Sequence, residues 1–445
     1  MSEPQTRQTA QATGSPQLQR QLGLFGAVMM GLGAMVGSGV FVSIGIAAGI
    51  TGPSVILAIT LAALVAICNG LSSAQLAASH PVSGGTYEYG YKYLNPWLGF
   101  TAGWMFLIAK SASAATAALG FAGYTLGALG FSHDYLVLLA LAAVMVLTLV
   151  ALGGIHHSNV TNIAIVSVTL LSLLFFFIAG LPVTSRANFT PFFAPSADKT
   201  GPLGALFHAT ALMFVAYTGY GRIATLGEEV HDPKHTIPRA IILTMIVTMG
   251  LYVAVAAVGI GTVGAERLSG AAKGATSTQA ASLAMAARQF PLPFSSHVLA
   301  IGAVTAMLGV LLNLILGLSR VLLAMGRHHD MPVILARLNE AETTPYWAVL
   351  VVGVVIAGLV LIGNMKTTWS FSAFTVLIYY ALTNGAALRL PAEQRLYPTW
   401  VAGLGLLACL FLAFWVERQI WLIGLGLIAA GLAWHAVARW RREAS

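Results

Sequence analysis

The sequence predicts an all-α membrane protein with about twelve transmembrane helices, and three observations support this fold class. Only 8% of the 445 residues are charged, against about 25% in a soluble domain. Residues 21–87 contain no Asp, Glu, Lys or Arg, although a helix needs only about 20 apolar residues to cross a bilayer. Finally, two of the apolar stretches are interrupted by glycines and small polar residues.

Twelve apolar segments are long enough to be candidate spans. They are residues 22–50, 54–79, 97–128, 135–153, 159–183, 203–228, 239–264, 296–326, 345–363, 368–390, 398–415 and 420–438. The fourth, ninth, eleventh and twelfth are short, so their order is better defined than their ends.

The distribution of positive charge predicts that both termini are cytoplasmic. Residues 1–20 are polar and lack the apolar core of a secretory signal, so we expect a disordered cytoplasmic tail. Counting alternate loops from there, 13 Lys and Arg fall on the cytoplasmic side, with residues 439–445 as a second tail, and 7 fall on the other side. This asymmetry agrees with both termini inside, and we expect the protein in the plasma (cell inner) membrane. The net charge of +8 is therefore a topology signal with some attraction to anionic lipid, and it predicts no nucleic-acid partner.

The two interrupted stretches are residues 31–41 in the first span and 214–221 in the sixth. Glycine costs about 1 kcal/mol against Ala in a helix interior, and an unpaired backbone group in hydrocarbon costs several kcal/mol. Unwound backbone at membrane depth is therefore expected only beside a cavity, and paired broken helices indicate a transporter's binding site. The alternative is that glycines such as Gly33 and Gly37 only allow close helix packing.

The positions of the interruptions predict an internal repeat. If each interrupted helix opens a unit, residues 21–390 hold two units of five helices, at about 22–183 and 203–390. Because five is odd, the second unit enters the membrane from the opposite face, which gives an inverted repeat. The last two spans, within residues 391–438, are then peripheral.

Four motifs in collinear order resemble the amino acid–polyamine–organocation (APC) permeases, closest to the branch that contains cationic amino acid transporters. The motifs are Gly33-Ala34-Met35-Val36-Gly37-Ser38-Gly39-Val40-Phe41, His80-Pro81-Val82-Ser83-Gly84-Gly85-Thr86-Tyr87-Glu88-Tyr89, Phe214 through Gly227-Glu228-Glu229 to Ile237-Pro238-Arg239, and Ser319-Arg320 through Arg327 to Thr344-Pro345-Tyr346. The resemblance implies the LeuT-like fold, a 5+5 inverted repeat with helices 1 and 6 unwound, and amino-acid transport by alternating access.

The same residues suggest how a zwitterion binds, mostly through backbone. Free N–H groups at Gly37, Ser38 and Gly39 suit a carboxylate at a helix start. Carbonyls near the two interruptions suit an ammonium group. These carbonyls belong to Ala34, Met35, Phe214, Ala216 and Tyr217, and Gly219 completes the candidate substrate-binding set. The large rings of Phe41, Phe214, Tyr217 and Tyr220 are either pocket walls or packing residues.

The charges favour a neutral amino acid. None of the 14 Asp and Glu residues lies deep inside a predicted span, whereas Arg222 follows the second interruption as a pocket or gate charge. His208, near the outer start of the sixth span, is read as a packing or outer-vestibule residue. Cationic substrates are therefore not expected, despite the resemblance to cationic transporters.

The coupling ion is the least defined feature. The eighth span offers only Asn313 as a polar side chain between Thr305 and Ser319, so a sodium site is not recognisable. The resemblance implies a second possibility, a lysine in the fifth helix that takes the place of the sodium ion, but the fifth span contains no lysine. This leaves Lys110 in the third span as a candidate proton carrier, the alternative being a lysine that extends to a membrane interface.

Other function classes are disfavoured. The spans contain no nucleophile–base pair or metal-ligand cluster, and Cys68 and Cys409 lack metal-ligand spacing. The sequence therefore predicts no enzyme, metal or cofactor. A transporter coupled to protons or working by exchange is expected, and the open alternative is an uncoupled facilitator or a non-transporting amino-acid sensor on the same scaffold.

Overall fold

A computed structural model of the chain describes residues 22–80, 84–153, 159–193, 201–224, 230–270, 281–338 and 344–443. The predicted amino-terminal tail lies outside these ranges, as do Glu228 and Glu229 of the third motif.

The described chain is helical. In the first half the helices are α1 (Leu24–Met35), α2 (Ile44–Thr51), α3 (Val55–Ser79), α4 (Thr86–Tyr93), α5 (Pro96–Leu129), α6 (Leu136–Leu152) and α7 (Asn159–Gly180). In the second half they are α8 (Gly201–Tyr217), α9 (Gly221–Ala224), α10 (Pro233–Val263), α11 (Ala265–Leu268), α12 (Ser282–Ala287), α13 (Ser295–Arg327), α14 (Tyr346–Val360), α15 (Met365–Leu388), α16 (Thr399–Ala413) and α17 (Arg418–Glu443). Between Leu22 and Glu443, the described residues contain no strand beyond one isolated bridge between Leu22 and Val230.

Eight helical stretches are long and apolar enough to cross a membrane, and four shorter apolar helices accompany them. The shorter ones are α1, α6, α14 and α16. Each of the twelve predicted segments therefore contains apolar helix, and the all-helical, multi-span prediction is confirmed. The boundaries differ most at α10, which begins at Pro233, six residues before the predicted start. Proline is tolerated in a first helical turn, where its missing N–H has no partner to lose.

The long helix α5 forms the centre of the structure. Asn95 caps its start by accepting a hydrogen bond from the backbone N–H of Leu98 at 2.9 Å, and Gly130 ends it in the left-handed conformation at φ 72°. Small residues such as Ala112 and Ala115 are fully buried along its inner face. They let α13 and α15 pack closely on α5, and these three helices surround the candidate site.

The last two helices differ in how they join this core. Helix α16 packs on α3 and α15, where the Asn69 amide donates to the sulfur of Cys409 at 3.2 Å and the Asn384 amide donates to Asn69. By contrast, only 22% of the most apolar stretch of α17 is buried, whereas 78% of the corresponding stretch of α5 is buried. Helix α17 is thus largely outward-facing, whereas buried polar contacts join α16 to the core.

Candidate functional site

The first interruption lies at Val36–Gly37, between α1 and the helical turns that precede α2. Val36 has φ −82° and ψ 89°, which is outside the helical region. Ser38 is already helical, and Gly39–Ser43 form a π-helical turn. The chain is therefore non-helical one residue earlier than predicted, and Ser38 and Gly39 begin the second segment instead of being unwound.

The glycines of this interruption allow neighbouring helices to approach closely. A Cβ atom on Gly37 would lie 2.6 Å from Cγ2 of Val310, and one on Gly39 would lie 2.7 Å from Cβ of Ala216. Both distances are shorter than real Cβ contacts. Close packing and an interrupted helix therefore occur together here, so the two alternatives raised by the sequence are not exclusive.

Buried hydroxyl groups satisfy the backbone carbonyls around the first interruption. The Tyr252 hydroxyl donates to the Met35 carbonyl at 2.7 Å and lies 3.3 Å from the Ala216 carbonyl. Beyond the π-helical turn, the Tyr124 hydroxyl donates to the Phe41 carbonyl at 2.8 Å. Because an unpaired buried carbonyl is costly, these tyrosines stabilise the interrupted geometry. Each carbonyl oxygen has two lone pairs, so Met35 and Ala216 keep acceptor capacity.

The second interruption is the 3₁₀ turn Thr218–Tyr220, between α8 and α9. The prediction of an unwound segment is corrected here, because the turn is tightened and remains helical. A Cβ atom on Gly219 would lie 2.5 Å from the carbonyl carbon and oxygen of Ala34. Glycine is therefore required for the two interruptions to touch.

Side chains from other helices support the second interruption. The Lys110 ammonium group donates to the Thr218 hydroxyl at 2.7 Å, and that hydroxyl donates to the Val215 carbonyl at 2.7 Å. The Tyr380 hydroxyl donates to the Thr218 carbonyl at 3.2 Å. Lys110 is only 8% exposed, so its side chain points into the protein and does not extend to a membrane interface.

A cavity of about 40 Å³ lies between the two interruptions. It is lined by Ala34, Met35, Ser38, Gly39, Lys110, Ser113, Val215, Ala216, Thr218, Val310, Leu314 and Trp369. Among these described lining residues, Lys110 carries the only charge. The lining combines polar groups, among them Ser38, Lys110 and Thr218, with apolar groups such as Val310 and Trp369. This lining is compatible with a small molecule that has a polar and an apolar part.

Six of the eleven predicted site residues line the cavity: Ala34, Met35, Ser38, Gly39, Ala216 and Lys110. Five do not, namely Gly37, Phe214, Tyr217, Gly219 and Arg222. Gly37 contacts Val310 and Gly219 contacts Ala34, and both allow the helices to approach.

The remaining three lie behind or beside the cavity wall. The Phe214 ring packs edge-on against Tyr380 with 5.7 Å between ring centroids, and the Tyr217 ring lies 5.3 Å from that of Tyr252. Arg222 is half-buried in α9. Arg222 is not among the residues that line the cavity, and its role as a pocket or gate charge stays a prediction.

Sequence reasoning missed the apolar wall and part of the polar one. Ser113 follows Lys110 by three residues, and Val310 and Leu314 are four residues apart, which places each pair on one helix face. These spacings are detectable in the sequence, but they occur on every buried helix. Trp369 has no distinguishing spacing, because only the packing of α15 on α5 brings it to the cavity.

A separate polar cluster involves His208 of α8. His208 Nε2 is 3.3 Å from the carboxylate of Glu417, and Lys366 Nζ is 3.1 Å from the same carboxylate. Burial alone would raise the pKa of Glu417. The hydrogen bond with His208 and the charges of His208 and Lys366 outweigh burial and lower this pKa to about 2. The cluster joins α8 to α15 and to the turn before α17.

A fully buried carboxylate lies just beyond the end of α13. Asp330 is 0% exposed. It accepts hydrogen bonds from the hydroxyls of Tyr87, at 2.7 Å, and Tyr91, and it lies 3.3 Å from His435 Nδ1. Asp330 lies outside the predicted spans, as expected, but its burial is not detectable from the sequence.

Comparison with known proteins agrees with the motifs. The amino acid permease family matches residues 22–421. An uncharacterized transporter of Mycobacterium tuberculosis (strain ATCC 25618 / H37Rv) is 38% identical over 423 residues, which cover 95% of this chain and 92% of that protein. The branched-chain amino acid permease BcaP of Bacillus subtilis is 27% identical, with 94% of each chain covered.

A plant relative matches the branch that the motifs indicated. The chloroplastic cationic amino acid transporter 9 of Arabidopsis thaliana is 30% identical over 361 residues, which cover 76% of this chain and 60% of that protein. The family and these relatives are transporters and not enzymes. The chain is therefore a multi-pass membrane protein that belongs to the amino acid permease family of the APC superfamily.

Proposed function

We propose that the protein is a secondary active transporter of a neutral amino acid that works by alternating access, coupled to protons or by exchange. The observation that carries this proposal is the cavity between the two interrupted helices, lined by residues from both of them and by Lys110. Irregular backbone at membrane depth is tolerated where it lines a cavity. Substrate sites of transporters built from repeats lie at such interruptions.

The geometry offers separate places for the parts of a zwitterion. Ser38 and Gly39 begin a helical segment on the cavity wall, and the first N–H groups of a helix have no partner one turn earlier. These groups suit the substrate carboxylate. The Ala34 and Ala216 backbones face the same cavity and offer carbonyl acceptors for the ammonium. Val310, Leu314 and Trp369 then contact the side chain.

The charge of the cavity favours a neutral side chain. No carboxylate lines the cavity among the described residues, and the Lys110 ammonium group is the fixed charge present. A lysine or arginine substrate would bring a second positive charge into a desolvated space without a partner, which costs several kcal/mol. Some relatives are named as amino acid permeases and others as cationic amino acid transporters. For this chain the charge of the cavity favours a neutral amino acid as substrate.

Lys110 is the proposed coupling group. It is buried, reaches the second interruption through Thr218 and is a lysine, which can lose its proton when desolvated. Loss of that proton removes the positive charge from the hydrogen bond to Thr218 and leaves a neutral amine, which is a weaker donor. Protonation is thereby linked to the geometry of α8 and α9.

The wider arrangement belongs to the same proposal. Residues 21–390 form a LeuT-like core of two inverted five-helix repeats in a twelve-helix chain, with residues 391–438 outside them. Both termini are on the cytoplasmic side of the plasma (cell inner) membrane. The contact between Leu22 and Val230 supports a common face for the start of the chain and the loop after α9.

Uptake of labelled amino acids into proteoliposomes tests the proposal. We expect a neutral amino acid to accumulate under an imposed pH gradient, or to exchange against internal substrate, with no requirement for sodium. Lysine and arginine should compete at least tenfold more weakly than the neutral substrate. Equilibration without accumulation or exchange would indicate a facilitator, and binding without uptake would indicate a sensor. Strong competition by lysine would show that the neutral assignment is wrong.

A further inference from the structure

The size of the cavity constrains the substrate more tightly than its charge does. A volume of about 40 Å³ compares with roughly 10–15 Å³ needed to hold one water molecule, and with 300–1,000 Å³ for typical small-molecule sites. The whole cavity therefore has room for only a few water-sized groups. Any larger substrate requires that part of the apolar wall move.

Trp369 is the largest side chain in the cavity wall and is fixed in place. It is 2% exposed, and its indole N–H donates to the Leu212 carbonyl of α8 at 2.9 Å. Rotating the ring away from the cavity would break this hydrogen bond and leave a buried donor unpaired, which is unfavourable. The rest of the apolar wall consists of smaller aliphatic groups on α8 and α13.

We propose that Trp369 is a specificity-determining residue that restricts the substrate to neutral amino acids with the smallest side chains, those of glycine, alanine and serine. This inference rests on the proposed function and names the substrate class within it. The indole lines the cavity and takes up space that a larger substrate side chain would need. Branched and aromatic side chains are excluded because they would overlap the ring.

Competition against labelled alanine tests the inference in proteoliposomes that contain the full chain. The competitors are glycine, alanine, serine, valine, leucine and phenylalanine. For the native protein we expect the first three to compete at least tenfold better than leucine or phenylalanine, because hydrophobic pockets discriminate strongly against added groups that do not fit. In Trp369→Leu, leucine should compete within about threefold of alanine.

Two further variants keep the test independent of the folding of Trp369→Leu. Leu314→Ala enlarges the cavity from α13 and should also favour leucine. Trp104→Leu is the matched control, because the Trp104 indole likewise donates to a helix carbonyl, that of Leu427 at 2.9 Å, but does not line the cavity. Trp104→Leu should keep the native ranking of competitors. Size-exclusion chromatography in detergent establishes which variants are folded.

The outcomes separate this inference from the proposed function. If the native protein neither binds nor transports any amino acid, the proposed function is wrong and the size limit is wrong with it. If the native protein transports amino acids but prefers leucine to alanine, only the size limit is overturned. The same conclusion follows if folded Trp369→Leu and Leu314→Ala both keep the native ranking.

Discussion

The two interruptions face one cavity but are built differently. At Val36–Gly37 the chain leaves the helical region for one residue and restarts in a π-helical turn, with hydroxyl donors to the backbone carbonyls on either side. At Thr218–Tyr220 the chain tightens into a 3₁₀ turn, and a lysine from α5 reaches its side chain. At the first interruption neutral hydroxyl groups contact backbone carbonyls, whereas at the second an ionisable side chain contacts the Thr218 hydroxyl.

This difference indicates a division of roles between the two segments. Backbone groups are fixed in chemistry and charge, so the first interruption is suited to binding the parts that all amino acids share. An ionisable side chain can change its charge, so the second interruption is suited to responding to a proton. The predictions that follow test whether damage to each segment affects binding or coupling.

The largest effect is expected at the first interruption, in Gly39→Val. A Cβ atom on Gly39 would lie 2.7 Å from Cβ of Ala216 and 2.8 Å from the Tyr252 hydroxyl, so a branched side chain cannot enter without displacing the facing helix. We expect substrate affinity to fall by at least about 100-fold, or about 2.8 kcal/mol, measured by binding of labelled substrate to purified protein.

Gly250→Val is the matched control, because a Cβ atom at Gly250 would meet nothing within 4 Å. It introduces the same side chain into α10 and should bind substrate as the native protein does. Native affinity in folded Gly39→Val would show that the first interruption is not part of the substrate site.

The second effect separates coupling from binding at Lys110. Lys110→Met preserves the length of the side chain but removes its proton and the hydrogen bond to Thr218. Accumulation driven by a pH gradient should be lost, whereas affinity should stay within about threefold. Lys110→Arg should also fail to couple, because a guanidinium keeps its proton in the working pH range.

Uptake into proteoliposomes with and without a pH gradient, in the presence and absence of sodium, measures this separation. Lys234→Met, which replaces an exposed lysine in the first turn of α10, serves as the control and should accumulate substrate normally. If Lys110→Met still concentrates substrate in response to the pH gradient, Lys110 has a structural role and the division between the interruptions fails.

A smaller effect is expected from Tyr252→Phe, which removes the hydroxyl shared by the two segments. The Met35 carbonyl would lose its donor at 2.7 Å, at a cost of about 1–3 kcal/mol. We expect a lower thermal midpoint and up to about tenfold weaker binding, with the pH response of transport retained. Tyr135→Phe, at a 56% exposed tyrosine, should change neither quantity. Loss of the pH response in Tyr252→Phe would mean that coupling also runs through the first interruption.

The smallest effect is expected from a change at Glu417, which contacts His208 of α8. The pKa of Glu417 is lowered from its ordinary value of 4.5 to about 2, so its contribution to stability is complete above pH 4.5 and is lost as the pH falls toward 2. Because Glu417 is partly exposed, the contribution is small, about 1 kcal/mol or less. In Glu417→Gln the thermal midpoint should fall by about 1–2 °C at neutral pH.

The difference between native protein and Glu417→Gln should shrink on acidification from pH 4.5 toward pH 2. Thermal unfolding in detergent at several pH values measures it, with Glu393→Gln, an exposed acid near α15, as the control. A difference that stays constant across this range would show that the carboxylate charge does not restrain α8.

The sequence by itself determined the class of structure and indicated where along the chain the two interruptions lie. Long uncharged apolar stretches have one stable solution in a bilayer, which is helix, so the helical, multi-span fold follows from composition. The glycines around Gly37 and Gly219 indicate the two interruptions, since glycine is unfavourable in a helix interior. The collinear motifs identified the family from local residue patterns alone.

Only the tertiary structure decided which side chains meet at the cavity. Lys110 and Thr218 are 108 residues apart, and Trp369 reaches the cavity because α15 packs on the small residues of α5. Contacts with Tyr87 and Tyr91 of α4 and with His435 of α17 bury Asp330, which sequence position alone would leave in a solvated loop. Such contacts depend on how helices from distant parts of the chain rotate and cross, and short-range spacing does not encode this information.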